Sequence, residues 1–279
     1  MAKPSAEIGV FGGSGFYSFT DKAQTIEVDT PFGKPAAPIT LADIAGRSVA
    51  FLPRHGLAHE FPPHKIPYRA NAWALRSLGV KRVFGPCAVG SLRGEVVPGD
   101  FVVCDQIADF TKGGRDSSFF DGDSRGLGLP KSDHLTFADP YCQEMRRAAV
   151  AACKKNGVKV EDGGTIVVIE GPRFSTRAES EFFQSRNWSV INMTQMPEVA
   201  LCRELGMCYA NISLVTDYDV GVTGGKPVTH EDVLRVFKAN NERLKNVLFD
   251  AIAALPQSRK CGCEAAAPKL KILFASGSQ

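Results

Sequence analysis

The chain has 279 residues, of which 44% are hydrophobic and 23% charged, and a formal net charge of +3. This length and apolar content are enough to bury the core of one large α/β domain. No apolar run reaches the roughly eighteen residues of a membrane span. The small net charge gives no reason to expect a nucleic acid or a membrane surface as partner.

The cysteines and the N-terminal residues indicate the compartment. The N-terminus lacks the apolar core of a signal peptide. Most of the eight cysteines lie in apolar segments, where free cysteine behaves as a small hydrophobe. None has the paired spacing of a zinc site. We therefore expect a cytoplasmic protein with reduced thiols and no metal.

The first predicted strand leads into a glycine-rich turn, IGVFGGSG at residues 8–15. The backbone N–H groups of such a turn, with the Ser14 hydroxyl, can cradle a phosphate. A Walker loop is absent, and the dinucleotide fingerprint lacks its third glycine. The turn alone therefore leaves an anion site and a plain tight turn both open.

Polar residues also follow the strand predicted at 49–52. Arg54, His55, His59 and His64 lie there in a loop rich in glycine and proline. Such residues suit a dianion and the hydroxyls of a sugar, although incidental histidines in a solvated loop explain them equally well. The pattern next predicts a helix at 68–78, a strand and small-residue turn at 82–91, a strand at 101–107, a surface excursion at 111–130 and a helix at 140–156.

The segment from 165 to 219 predicts a β-α-β-α-β unit. Its strands are expected at 165–169, 188–193 and 207–215, and its helices at 176–187 and 197–206. Thr176 and Glu179 have the spacing of a capping box. Ligands of parallel α/β sheets bind outside the carboxyl ends of the strands. We therefore expect one crevice lined by the polar and aromatic residues that follow these strands: Phe174, Ser175, Met193, Thr194 and Asp217.

The C-terminal part contains a long helix and then a tail. Thr229 is expected to cap the helix, and the apolar period ends at residue 256. The tail contains Cys261 and Cys263, for which two exposed thiols are favoured over a disulfide.

The candidate residues form three sets, which are an anion set (Ser14, Arg54, His55, Thr194), a sugar-facing set (His59, Met193) and an aromatic and carboxylate set (Phe174, Ser175, Asp217, Asp219). Glycoside hydrolysis by paired carboxylates would leave the anion set without a role. A phosphate that attacks the sugar uses all three sets. Asp217 would then be the acid at the leaving base, which requires burial to raise its pKa from about 3.9.

Six ordered motifs resemble the 5′-methylthioadenosine phosphorylases of the trimeric purine nucleoside phosphorylase family: GGSG (12–15), RHG (54–56), AVGSL (88–92), IEGPRFSTRAES (169–180), INMTQMPE (191–198) and TDYD (216–219). The resemblance covers residues 7–255. It implies a phosphorylase/hydrolase-like three-layer α/β fold, with a mixed central β-sheet flanked by helices, and a homotrimer. Residues 1–255 would be the nucleoside phosphorylase domain and 256–279 a C-terminal tail.

The resemblance also implies a reaction and a role for each site residue. 5′-Methylthioadenosine, and also adenosine, would be cleaved by phosphate in purine and methionine salvage, without a cofactor. The implied sites are phosphate binding (Ser14, Arg54, His55, Cys87, Ala88, Thr194), ribose binding (His59, Met193), base binding (Phe174, Ser175, Asp217, Asp219) and a pocket for the 5′ substituent (His230, Val233, Leu234, and His134 of a neighbouring subunit).

Departures from the family pattern concern the base and the 5′ substituent. Relatives specific for 6-oxopurines carry Glu and Asn where this chain has Ser175 and Asp217, and a carboxylate acceptor favours an amino group. His230 stands where methylthio-selective members have an apolar residue, which implies that adenosine is also cleaved. Cys87 replaces a hydroxyl residue. A phosphorylase for 6-oxopurine nucleosides or methylthioinosine, a nucleotide-binding oxidoreductase and a non-catalytic purine-binding module remain as rival hypotheses.

Overall fold

The computed structural model describes residues 4–12, 23–123, 125–220, 222, 229–265 and 267, without the side chain of His230. These residues form a mixed α/β fold built on one large sheet. The strands are β1 (Ile8–Gly12), β2 (Gln24–Ile26), β3 (Ile39–Ile44), β4 (Arg47–Pro53), β5 (Arg82–Ser91), β6 (Phe101–Val103), β7 (Gln106–Phe110), β8 (Val160–Asp162), β9 (Thr165–Ile169), β10 (Val190–Asn192) and β11 (Cys208–Tyr218). The helices are α1 (Tyr68–Ser77), α2 (Gln143–Lys155), α3 (Arg177–Ser185), α4 (Gln195–Glu204) and α5 (His230–Ala254), with a 3₁₀ turn at Pro63–Lys65.

Strand β5 is the centre of the sheet. It pairs over its whole length with β11, in parallel. Its opposite edge pairs with β1 only up to Phe84 and with β10, antiparallel, only from Gly90. Between those two points, residues 85–89 have no strand partner on that edge among the described residues. A gap in the sheet therefore opens beside the middle of β5.

The crevice was expected at the carboxyl ends of neighbouring parallel strands, and the sheet topology shows that it forms for a different reason. Strands β9 and β10 are parallel to each other, but β10 runs antiparallel to β5, whereas β5 and β11 run parallel. The carboxyl ends of β10 and β11 therefore do not lie at the same edge of one parallel sheet. Residues that follow β10 meet residues of β11 because both border the gap beside β5.

Helices cover both faces of the sheet. Helices α1 and α4 contribute to one apolar cluster, with Trp73 and Leu201 among its buried members. Helices α2 and α5 contribute to the other, with Met145 and Leu248. The apolar residues of α1 are buried, with Ala70, Trp73 and Ala74 among them. The predicted three-layer mixed fold is thus confirmed.

The local signals at helix ends were accurate. Thr176 and Glu179 form the expected reciprocal capping box at α3. Thr229 accepts a hydrogen bond from the Asp232 N–H at the start of α5. None of the described helices is long and apolar enough to cross a bilayer.

Three expectations were wrong. The residues 86–91 continue β5 instead of forming a turn, because pairing with β11 overrides their Pro and Gly content. The strand expected at 101–107 is interrupted, since β6 ends at Val103 and β7 begins at Gln106. The thiols of the tail are not two exposed groups, because Cys263 is buried and Cys261 half-buried. The strands β2, β3 and β8 were not predicted.

Candidate active site

A cavity of about 520 Å³ opens beside the middle of β5. It brings together most of the residues that the sequence singled out: Arg54, His55, His59, Cys87, Ala88, Phe174, Ser175, Met193, Thr194, Asp217, Asp219, Val233 and Leu234. Polar groups lie at two ends, since Arg54 contacts the Pro86 carbonyl whereas Asp217 pairs with Gly90, four residues further along β5. The apolar wall between them includes Val89, Ile191 and Phe237.

Arg54 follows the end of β4 and is 3% exposed. Its guanidinium makes a bidentate pair with Glu198 at 2.8 and 2.9 Å, and Nη1 donates to the Pro86 carbonyl at 2.9 Å. Burial lowers the pKa of Arg54, but the charge and hydrogen bonds of Glu198 more than offset this, so the pKa is raised overall. Two of the five guanidinium N–H groups remain for a ligand. Because Glu198 neutralises the charge, this end attracts an anion through directed N–H groups.

Glu198 itself is held by a second partner. The Tyr209 hydroxyl donates to its Oε1 at 2.5 Å. Gly85 makes room for this contact, since a Cβ there would lie 1.7 Å from the Tyr209 hydroxyl oxygen. Sequence analysis did not assign a role to Glu198, although the residue lies in the INMTQMPE motif.

His55 is neutral in this setting. Its Nδ1 donates to the Phe61 carbonyl at 2.8 Å, which leaves Nε2 as an acceptor. Burial lowers the pKa of His55 to about 3; the Phe61 hydrogen bond opposes this, while the charges of Arg54 and His59 add to it. His59 stacks on the same ring, with centroids 4.2 Å apart. The Nε2 atom can therefore accept a hydrogen bond from the P–OH group of a phosphate monoanion.

The first turn of α4 borders the same end of the cavity. Thr194 is the N-cap residue, and its side chain makes no capping hydrogen bond. Met196 departs from helical geometry (φ −110°, ψ 133°) and Pro197 has no N–H, so the Thr194 hydroxyl is the group at this point that suits an anion. The Cys87 thiol lies near Ser213 Oγ at 3.5 Å and accepts from Gln195 Nε2 at 3.7 Å, and burial raises its pKa.

Asn192 was not predicted as a site residue. It lines the cavity and is 7% exposed. Neither its Nδ2 nor its Oδ1 makes a well-formed hydrogen bond among the described residues, and a polar neighbour of the amide is the weakly bonding Cys87 thiol. An unsatisfied buried amide costs about 1–3 kcal/mol. A polar ligand in the cavity would remove that cost, so we regard Asn192 as a further binding residue.

The two aspartates are aligned by a bulge in β11. Val215 pairs with Val89 and Asp217 with Gly90, so Thr216 is an extra residue. The Thr216 hydroxyl donates to Asp217 Oδ1 at 2.7 Å. Gly90 lies next to this carboxylate: a Cβ at position 90 would be 2.9 Å from Asp217 Oδ2. A side chain at position 90 would therefore displace the Asp217 carboxylate.

Both carboxylates have raised pKa values. Burial raises the pKa of Asp217 to about 6; the Thr216 hydrogen bond opposes the shift, and the charges of Asp219 and Asp232 increase it. Burial also raises the pKa of Asp219, against hydrogen bonds from Ser175 and Ser180. Ser175 Oγ donates to Asp219 at 2.6 and 2.8 Å. Asp217 can therefore carry a proton near neutral pH, which a free aspartic acid cannot.

Arg115 connects two segments that border the cavity, and the sequence did not predict it as a site residue. It lies in segment 111–130, which was expected to be a surface excursion, yet it is 7% exposed. Its guanidinium donates to the carbonyls of Glu170, Met193 and Met196. Arg115 thus fixes the chain after β9 and the start of α4 relative to each other.

Three predicted residues are not among the lining residues. Ser14 lies outside the described residues, as does the side chain of His230. His134 is exposed and does not line the cavity of its own chain.

Comparisons with known proteins agree with this geometry. The family model described as "Phosphorylase superfamily" matches residues 7–253. The chain is 55% identical to the purine nucleoside phosphorylase of Streptomyces coelicolor, over 95% of each chain. It is 50% identical to the S-methyl-5′-thioadenosine phosphorylase of Pyrococcus furiosus, over 96% of this chain and 99% of that protein.

Solved structures are similar over the same range. One is a variant of the adenosine/methylthioadenosine phosphorylase of Schistosoma mansoni, in complex with methylthioadenosine. It superimposes with a TM-score of 0.84 at 34% identity, and covers 91% of this chain and 93% of that chain.

Proposed function

This chain belongs to the phosphorylase superfamily, and we propose that it transfers the pentosyl group of 5′-methylthioadenosine from adenine to inorganic phosphate. The products are adenine and 5-methylthioribose 1-phosphate. The observation that carries the proposal is the polarity of the cavity, which has anion-binding groups at one end and a protonatable carboxylate at the other.

At the anion end, Arg54, His55 and Thr194 would hold the phosphate, with Ser14 and the backbone of Cys87 and Ala88. A phosphate oxygen attacks C1′ as the C1′–N9 bond breaks. The phosphate charge stabilises the oxocarbenium-like transition state, which is the logic of any preorganised electrostatic site. The edge of β5 at residues 85–89, which has no strand partner among the described residues, lets backbone approach the phosphate.

At the base end, Asp217 would donate a proton to N7, so that the electron pair of the broken bond leaves on a neutral purine. Asp219 would accept from the exocyclic amine, and Ser175 keeps its carboxylate in position by a hydrogen bond. Phe174, which is 38% exposed, would pack against the base. A purine would cover that ring.

The sugar would lie between the two ends, against Met193 and His59. Val233 and Leu234 would form the apolar part of the 5′ pocket, where a methylthio group fits. We further propose that adenosine is a substrate, with His230 as the partner of its 5′-hydroxyl.

We propose that the chain forms a homotrimer, in which His134 of one subunit reaches the 5′ pocket of the next. An aromatic face formed by Phe110, Phe182, Phe183 and Trp188 supports an interface beside the site. Phe110 and Phe182 are 41% and 43% exposed. They line a second cavity of about 460 Å³ that shares Ile169 with the first. Exposed apolar patches of this kind mark interaction sites.

The proposed reaction needs no cofactor, because phosphate is a co-substrate and proton transfer is the only other chemistry. A cytoplasmic role in purine and methionine salvage fits these substrates and a chain whose cysteines are all free thiols.

The alternative is a phosphorylase of 6-oxopurine nucleosides or methylthioinosine, and one relative is named purine nucleoside phosphorylase. Asp217, which stands where 6-oxopurine-specific relatives have Asn, argues against it. A carboxylate there would oppose the lone pairs of a 6-oxo group, and such mismatches discriminate by up to about 10⁴–10⁵.

The test is a release assay with four nucleosides, each with and without phosphate: methylthioadenosine, adenosine, methylthioinosine and inosine. We expect free adenine from the two aminopurine nucleosides only when phosphate is present. Equal release without phosphate would indicate a hydrolase. Faster cleavage of the 6-oxo nucleosides would favour the alternative, and a loss of more than about a thousandfold for adenosine would refute the second substrate.

A further inference from the structure

A cluster of cysteines lies away from the cavity. The sulfur atoms of Cys142, Cys208, Cys261 and Cys263 all lie within 4.8 Å of one another. They come from three separate segments, which are the N-cap of α2, the first residue of β11 and the tail after α5. Cys261 is half-buried and the others are buried.

The distances between the sulfurs decide which chemistry fits. A disulfide joins two sulfurs at about 2.05 Å. Four thiolates at about 2.3 Å from a tetrahedral zinc lie about 3.8 Å apart. The Sγ atoms of Cys208 and Cys261 are 3.3 Å apart, and none of the pairs exceeds 4.8 Å. We propose that these four cysteines bind one zinc ion as a tetrathiolate site.

The charges around the cluster suit such a site. Zinc with four thiolates carries a net charge of about −2. Arg203 donates from Nη1 to Cys263 Sγ at 3.5 Å, and Arg259 Nη1 lies 4.0 Å from Cys208 Sγ. Arg259 is itself fixed, because the same Nη1 donates to the Gly206 carbonyl at 3.0 Å. Arg259 also pairs with the exposed Glu264, so the two guanidinium groups would offset part of the negative charge and orient the sulfurs.

The dipole of α2 stabilises the thiolate of Cys142. Cys142 is the N-cap residue of α2, and its side chain makes no capping hydrogen bond. Its backbone N–H donates to the Tyr209 carbonyl at 2.8 Å, which fixes the start of α2 beside β11. A thiolate at a helix N-terminus is stabilised by the positive end of the dipole.

The site would be structural. Four protein ligands leave no open position for a substrate. Cys208 opens β11, whereas Asp217 lies near its other end, about 30 Å along an extended strand. The zinc would hold the tail against α2 and β11, where Cys263 already joins the apolar core. Because the ligands come from distant segments, the spacing of the sequence did not indicate a metal.

The test uses the full chain, purified in a reductant without chelator and dialysed against zinc chloride. Zinc is measured by elemental analysis, and thiol titration counts the protected cysteines. The double variant C261S/C263S removes two ligands, and Cys153→Ala is the matched control, since Cys153 is buried in α2 outside the cluster. We expect about one zinc per chain in the wild type and the control, and at least about a tenfold loss in the double variant.

Two further readouts do not depend on activity. Chelation of zinc should lower the melting temperature of the wild type and leave that of the double variant unchanged, because a ligand of the native state stabilises it by linkage. Because the four cysteines outside the cluster are buried in either case, chelation of zinc should increase the number of thiols that react with a thiol reagent, by up to the four of the cluster. If the double variant does not fold, cobalt in the wild type should give the thiolate charge-transfer bands of a tetrahedral site.

Three results would overturn the proposal. One is reduced wild-type protein that retains no zinc after dialysis. Another is cobalt-treated protein that shows no thiolate charge-transfer band. The third is protein whose mass is lower by four hydrogens under the same conditions, because two disulfides would then occupy the cluster.

Discussion

Replacing Asp217 with asparagine removes the acid from the base end of the cavity and keeps the size of the side chain. Burial raises the pKa of Asp217 to about 6, and the hydrogen bond from Thr216 limits the shift. A rise of about two units increases the protonated share at neutral pH by about a hundredfold. We therefore expect Asp217→Asn to lower kcat/KM for methylthioadenosine by about a hundredfold or more.

The assay is adenine release across a range of pH. Wild-type kcat/KM should fall about tenfold per unit above pH 6, since only the protonated carboxyl acts. The variant should lose this dependence. Asp43→Asn is the control, because Asp43 is exposed and its carboxylate caps only the turn at Gly46.

The same substitution, which lowers activity, should not lower the stability of the fold at high pH. The folded-state pKa is raised, so the contribution of Asp217 to stability is present below its unfolded pKa and is lost as pH rises through about 6. Asp217→Asn should therefore melt at or above the wild-type temperature at pH 8. Activity within about threefold of wild type at pH 7, or an unchanged pH profile, would refute the assignment.

Three further substitutions test other parts of the cavity. Glu198→Gln leaves the Arg54 guanidinium buried without its carboxylate, so we expect a loss of about 3 kcal/mol of stability. We also expect a higher KM for phosphate, because the guanidinium loses the bidentate partner that orients its N–H groups. An unchanged denaturation midpoint would contradict this. Asn192→Ala removes a buried amide that makes no well-formed hydrogen bond among the described residues. It should leave the melting temperature unchanged or raise it and reduce kcat/KM, whereas a lower melting temperature with normal kinetics would indicate a structural role. Gly90→Ala places a Cβ 2.9 Å from Asp217 Oδ2. It should lower kcat with the fold retained by circular dichroism, and wild-type kcat would show that the carboxylate adjusts without cost.

Local chemistry made much of the fold predictable. The run TIVVI forms β9, and Thr176 and Thr229 begin helices as their capping patterns indicate. These signals depend on residues within four positions of each other, so they do not require contacts with distant parts of the chain. The prediction failed at residues 86–91, where Pro and Gly suggested a turn. Pairing with β11, more than a hundred residues away, keeps that segment extended.

The candidate site was predictable where polar residues follow strands, as at Arg54 and Thr194. Residues that act through distant partners were missed. Glu198 matters because it pairs with Arg54, 144 positions earlier. Arg115 matters because its donors reach carbonyls of two later segments. Neither contact follows a sequence spacing from which it could be predicted.

The central claim is that one cavity holds a purine at its aspartate end and an oxyanion at its arginine end. The most direct measurement is a crystal structure of the protein soaked with adenine and sulfate. We expect N7 of adenine against Asp217, its amino group against Asp219, and sulfate against Arg54 and Thr194. Either ligand bound elsewhere, or adenine turned with its amino group away from both carboxylates, would contradict the account.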